Sequence, residues 1–162
     1  RDGGTNQPAP LVYRGTIYLN NTDGVVQAVR ARDGSLIWEH RIETAIASRG
    51  IALYQDKLIF QTAGRLVALN ARTGELEWDV PMQGSRASSS GPLAANGLIL
   101  EGMGGCQRYE ESKCFISAYD PGTGEQRWRF VTIALDGEPG GDSWGNLPNL
   151  YRAGGETWMT GS

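Results

Sequence analysis

The sequence is poor in the residues that carry most metal and nucleophile chemistry. Among 162 residues there are two cysteines and one histidine, His40. Structural zinc takes four Cys or His ligands in paired spacings, so no zinc site is expected, and His40 reads as a surface residue at a strand end. No Ser-His-Asp set and no phosphate loop can be assembled; Gly102-Met-Gly-Gly is not the dinucleotide pattern and follows a predicted hairpin strand without a helix behind it. Only Lys57 and Lys113 are lysines among 15 basic residues, a bias from which no function follows. Apolar runs last a few residues, far short of the roughly 20 that cross a bilayer. The formal net charge is −3, which gives no footprint for phosphate neutralisation, and no nucleic-acid partner is expected. An initiating Met and a signal peptide are both missing. The chain opens Arg1-Asp2-Gly3-Gly4, which reads as a processed chain or a piece of a longer one.

Glycine is abundant, with 23 residues, about twice the average usage of about 7%. A hydrophobic fraction of 40% with 20% charged residues is too apolar for a disordered chain. The glycines keep no period of three, which excludes collagen. They fall between short apolar runs, the pattern of an all-β protein with many turns. By length alone the chain is one domain.

Three segments repeat: Ala28-Val-Arg-Ala-Arg-Asp-Gly-Ser-Leu-Ile-Trp38, Ala68-Leu-Asn-Ala-Arg-Thr-Gly-Glu-Leu-Glu-Trp78 and Ala118-Tyr-Asp-Pro-Gly-Thr-Gly-Glu-Gln-Arg-Trp128. In each, Ala precedes Trp by ten residues and Gly precedes it by four; the Trp spacings are 40 and 50. The spacing predicts a hairpin in which Gly34, Gly74 or Gly124 supplies a positive φ and the second strand presents Trp. Two further apolar runs precede each hairpin, split by Arg14-Gly15, Gln55-Asp56 or Asn96-Gly97; Asn-Gly is a strong hairpin signal. Four short antiparallel strands per repeat, at this period, predict β-propeller blades. A single blade cannot bury both faces, so the Trp is expected to pack flat on the next blade's turn. Blades are predicted at roughly 8–40, 41–80 and 86–131, with a further one beginning at 152–162 and a long Gly/Pro-rich loop over 132–150 between them. Three blades are too few to close a ring of about four to eight, so the chain is expected to be one partial propeller domain.

The Ala-x-[Asp/Asn]-x-x-Thr-Gly-x-x-x-Trp element at 68–78 and 118–128 resembles the tryptophan-docking motif of the PQQ-dependent quinoprotein alcohol dehydrogenases; the copy at 28–38 is degenerate, with Arg30 and Asp33. The resemblance covers nearly the whole chain and corresponds to early blades of an eight-bladed propeller. It implies a periplasmic enzyme that oxidises alcohols or sugars by hydride transfer to pyrroloquinoline quinone (PQQ), with a calcium or lanthanide ion, and passes electrons to a cytochrome. This chain would contribute part of the cofactor cradle, with the rest of the propeller as its partner. The family's catalytic Asp base and a second metal ligand would lie beyond Ser162.

Residue by residue, Arg49 matches the arginine that clamps a PQQ carboxylate, which a guanidinium does with two parallel hydrogen bonds. Trp158 resembles the indole floor on which the quinone stacks. The family usually has Thr two residues before this Trp; here Glu156 stands there, with Thr157 adjacent. Gln7 falls at a family Glu that hydrogen-bonds PQQ, and Ser89 at a Thr whose hydroxyl meets a carboxylate. Gly104 and Gly105, in the Gly-rich loop, would let backbone approach the cofactor. The family's metal-binding Glu corresponds to Gln107.

The third repeat carries an insertion of about eight residues, bracketed by Cys106 and Cys114. In a protein of periplasmic type this pair reads as a local disulfide, contributing roughly 2–3 kcal/mol by loop entropy. The family's vicinal cysteine pair belongs near Ala45–Ser48 and is missing. In the family the excursion at 132–150 caps the cofactor side, and Trp144 is expected to pack it down. A second reading is a non-catalytic quinoprotein-like propeller for protein binding or outer-membrane assembly. Glu156, Gln107 and the missing vicinal pair favour it; Arg49 and the Gly-Gly-x-Thr-Trp element argue against it.

Overall fold

A computed structural model of the chain describes residues 8–21, 23–82, 90–159 and 161. Short strands and tight turns build three four-stranded antiparallel sheets. The first contains β1 (Leu11–Tyr13), β2 (Thr16–Asn20), β3 (Val25–Arg30) and β4 (Leu36–Arg41). The second contains β5 (Ala52–Tyr54), β6 (Lys57–Thr62), β7 (Arg65–Asn70) and β8 (Leu76–Pro81). The third contains β9 (Leu93–Ala95), β10 (Leu98–Glu101), β11 (Phe115–Tyr119) and β12 (Gln126–Val131). In each, spatial order follows chain order, the meander of a propeller blade.

The repeated hairpin explains itself locally. Asn70 Oδ1 accepts from the Arg72 and Thr73 N–H groups, and Asp120 Oδ1 accepts from Gly122 and Thr123. These side chains impose the turn on the backbone. Gly74 and Gly124 then take φ of 76° and 73° and donate back to the Asn70 and Asp120 carbonyls, each at 2.8 Å. A register shift beside Ala28, Ala68 and Ala118 places the following Trp opposite that small residue.

Packing between blades uses the Trp as expected. The Trp38 indole N–H donates to the Ala71 carbonyl at 3.0 Å, and Trp78 donates to Pro121 at 3.1 Å. A Cβ on Gly74 would fall 2.6 Å from the Trp38 ring, and one on Gly124 2.8 Å from the Trp78 ring. Around these contacts lie two cores. Tyr18, Val26 and Ala28 of the first sheet meet Leu58, Phe60 and Leu69 of the second. Ile59, Leu66 and Ala68 on the second sheet's other face meet Ile99 and Tyr119 of the third. The middle sheet is therefore covered on both sides. Its strands β6 and β7 are accordingly buried almost throughout, whereas β4 and β12 alternate or are exposed.

The segment after β12 is more ordered than a linker. Two 3-10 turns, Gly141–Trp144 and Asn149–Tyr151, are gathered around Arg152. That guanidinium is buried and donates to the Leu147 and Ala134 carbonyls and to Asp136. Its Cζ lies 5.8 Å from the Trp144 ring centroid, so Trp144 packs this loop down through Arg152. Buried Lys113 donates to the Leu150 and Arg152 carbonyls, tying the loop to the third sheet. Residues 152–158, where a further blade was expected to begin, form no strand and run back across the third blade.

Candidate functional site

The site begins where β10 ends. Leaving the ladder after Glu101, the chain enters Gly102-Met103-Gly104-Gly105-Cys106, which has no regular structure. Its backbone is satisfied instead by the segment Glu156–Trp158. Thr157 N–H donates to the Met103 carbonyl at 2.9 Å, and Met103 N–H donates to Thr157 Oγ1 at 3.0 Å. Glu156 Oε1 accepts from both Gly105 N–H and Cys106 N–H, each at 3.1 Å. The approach is so close that a Cβ on Gly102 would collide with the Thr157 hydroxyl, and one on Gly104 would sit 3.3 Å from Trp158 Cβ. The Cys106–Cys114 bridge forms and closes the insertion, which is a loop without strands. With Met103 and Phe115 it makes a small third core behind this wall.

Arg49 arrives from the connection between β4 and β5. A Cβ on Gly91 would lie 3.1 Å from the Gly50 carbonyl oxygen and 3.2 Å from that of Arg49, so a side chain there would crowd the connection at its seat. From this seat the guanidinium reaches the half-exposed Trp158 indole, with Cζ 4.6 Å from the ring centroid. That is within cation–π range. Beside the indole opens a cleft of about 410 Å³ lined by Leu93, Leu100, Gly102, Thr157, Trp158 and Met159. A shallower hollow of about 320 Å³, lined by Pro10, Arg49, Ile51 and Pro92, adjoins it across Gly91.

The structure thus brings Arg49, Trp158, Thr157, Gly104 and Gly105 to one wall. Gln7 and Ser89 lie outside the described residues. Gln107 sits exposed on the inserted loop. Among the described residues there is no group of three or more His, Cys, Asp or Glu able to hold a metal ion. A hard cation needs several oxygen ligands, carboxylates above all, so these residues do not make a metal centre. They do suit a flat, anionic, aromatic cofactor. A half-exposed indole, a cation at its ring and a wall of glycines are what such a molecule can use.

Two carboxylates escaped the sequence reading in their actual roles. Glu156 lines the cleft and is exposed, and one of its carboxylate oxygens anchors the Gly105 and Cys106 backbone. Glu101 is buried beside Ser117, its cross-strand partner. Neither of its oxygens has a hydrogen-bond partner among the described residues. Burial holds its carboxyl well above the usual carboxylate range, with only the Gly102 N–H pulling the other way, short of bonding geometry. Its one sequence signal is period: Glu101 follows Ile99 by two and must share that residue's inward face.

Docked four-stranded blades with a cleft at their loop ends define the class: a segment of a β-propeller. A family model described as outer membrane protein assembly factor BamB matches residues 3–100. The quinohemoprotein alcohol dehydrogenase ADH-IIG of Pseudomonas putida is 32% identical over 80% of this chain and 20% of its own length. The dehydrogenase subunit of a quinone alcohol dehydrogenase from Gluconacetobacter polyoxogenes is 34% identical over 76% and 19%. The crystal structure of the Comamonas testosteroni quinohemoprotein alcohol dehydrogenase superposes with a TM-score of 0.72 at 28% identity, covering 83% of this chain and 22% of that one. The chain belongs to the quinoprotein alcohol dehydrogenase family. It spans about a fifth of the length of these relatives.

Proposed function

We propose that this chain is part of a periplasmic PQQ-dependent dehydrogenase that oxidises small alcohols or sugars, and that it supplies part of the cofactor cradle. The observation that carries the reading is Arg49 held 4.6 Å over the Trp158 ring beside the cleft. When bound, PQQ supplies the hydride acceptor, and a cytochrome c-type protein takes the electrons onward. The chain's own residues bind and orient. The Trp158 indole offers the stacking floor, the Arg49 guanidinium meets a carboxylate, and Gly104 and Gly105 keep side chains out of the plane. Gln7 and Ser89, to which the family resemblance gives polar contacts with the cofactor, lie outside the described residues. A calcium or lanthanide ion would draw its ligands chiefly from outside the described residues, and the proton-accepting Asp also comes from elsewhere in the full protein.

The test is a titration of the full-length protein of which this chain is proposed to be part, with PQQ in the presence of Ca²⁺ or a lanthanide, followed by quinone absorbance and tryptophan fluorescence. Saturable binding is expected. R49A should weaken it about tenfold or more, since a charge-assisted bidentate contact is lost, and W158A should remove a large part of the fluorescence change. Absence of binding with metal present overturns the reading. It would favour the second one, a non-catalytic propeller for protein binding or outer-membrane assembly. One observation speaks for that alternative: the family model that matches residues 3–100 is described as the outer membrane protein assembly factor BamB.

A further inference from the structure

We propose that Glu156 is a positioning residue. Its carboxylate locks the Gly102–Cys106 loop to the Trp158 segment and so fixes the wall of the cleft that faces the ligand. The ligand-facing consequence rests on the quinone reading above; the anchoring itself does not.

The argument starts from backbone accounting. After β10 the loop has no ladder, so its N–H groups need other acceptors. Gly105 takes φ of 78°, a left-handed conformation that turns successive N–H groups toward one point. Such a concavity binds an anion, and here Glu156 Oε1 fills it, accepting from Gly105 and Cys106 at 3.1 Å each. The reciprocal Met103–Thr157 pair lies immediately beside it. Residues 156 and 157 are thereby fastened to 103, 105 and 106, which leaves Trp158 little freedom to move its indole from beneath Arg49. The buried Cys106–Cys114 bridge pins the far end of the same loop.

This arrangement also explains how an acidic residue is tolerated where the ligand is expected to be anionic. A free carboxylate there would repel a tricarboxylated quinone. With one oxygen taken by two backbone dipoles, part of its charge is offset locally. The anchor is built for an acceptor of this reach: a Gln retains an oxygen at that distance with less charge, whereas Ala removes it.

The experiment uses the full chain and two readouts. In the first, without cofactor, the rate at which dithiothreitol reduces Cys106–Cys114 is followed by thiol labelling. The bridge is buried, so reduction reports local opening of the loop. E156A is expected to speed reduction about tenfold and E156Q about threefold, the sizes expected for losing or weakening hydrogen bonds to a charged group. In the second, PQQ affinity is expected to fall in the same order. An unchanged reduction rate in E156A overturns the proposal; if E156A does not fold, an unchanged rate in E156Q does so. Faster reduction with wild-type PQQ affinity overturns the positioning role. Faster reduction in a protein whose wild type does not bind PQQ sinks the quinone reading and leaves the anchor standing.

Discussion

Glu101 places a carboxyl group at the interface of the second and third blades, on the face it shares with Ile99 and, across the strand, with Ser117 and Tyr119. The ionisable neighbours on that face are Tyr119, itself pushed up chiefly by burial, and Arg129, whose Nε donates to Ser117 Oγ at 3.4 Å. Because the folded-state pKa of Glu101 is raised, the folded chain holds more protons than the unfolded chain once pH passes the ordinary value of 4.5. Stability then falls as pH rises, until the folded-state pKa is reached. E101Q removes the ionisation while keeping the shape. It should be more stable than wild type at pH 8 by on the order of 1 kcal/mol, the scale of a buried polar group left unpaired. The gap should close toward pH 4. Thermal melts of both proteins across that range decide it, and parallel pH profiles would refute the assignment. The same scale marks where sequence reasoning stops. Arg49 and Trp158 were named from a family likeness, but that they stack on each other is a tertiary fact. Glu156 was seen as a departure from a motif, and nothing local announces that it reaches two N–H groups some 50 residues away.

The hairpin with its Trp was the most legible element, because its determinants are local: an Asx side chain, a left-handed glycine and a bulge that sets the indole opposite Ala. What the repeat alone did not separate is the cost of each glycine's conformation from the cost of its packing. Gly34 and Gly74 share nearly the same φ, 74° and 76°. A Cβ on Gly34 would meet nothing within 4 Å, whereas one on Gly74 would fall 2.6 Å from the Trp38 ring. G34A should therefore cost only the left-handed penalty, about 1–2 kcal/mol. G74A should cost that and also lift Trp38 off its seat, for a total of about 3 kcal/mol or more. The two melts should differ clearly; equal losses would mean that Trp38 does not dock through Gly74. The 132–150 excursion is legible as a long loop of uncommon kind. Its order is not, since it depends on Arg152 and Lys113 finding carbonyls at distant positions.

Across the whole molecule, docking proceeds in one direction: Trp38 onto the second blade, Trp78 onto the third. By the same rule Trp128 should dock onto a fourth, and its donor should find a carbonyl three residues before that blade's turn glycine. In this chain Trp128 is instead 43% exposed and Phe130 64% exposed, side by side on β12. Leu93, Leu100 and Ile116 line the cleft from the third sheet, so the wall of the site and the raw blade face belong to one element. Under the proposed function the cleft is completed by whatever covers that face, since a cradle open on one side would not exclude water from a transferring hydride. The 162 residues alone should accordingly show negligible alcohol oxidation with PQQ and Ca²⁺. Acrylamide should quench Trp128 readily in them and poorly in the longer protein that the proposed function implies, a difference read by comparing each protein with its W128F variant. Turnover at an ordinary enzymatic rate by the 162 residues would contradict the dependence of the site on a covering blade. Equal quenching of Trp128 in both proteins would contradict the docking rule itself.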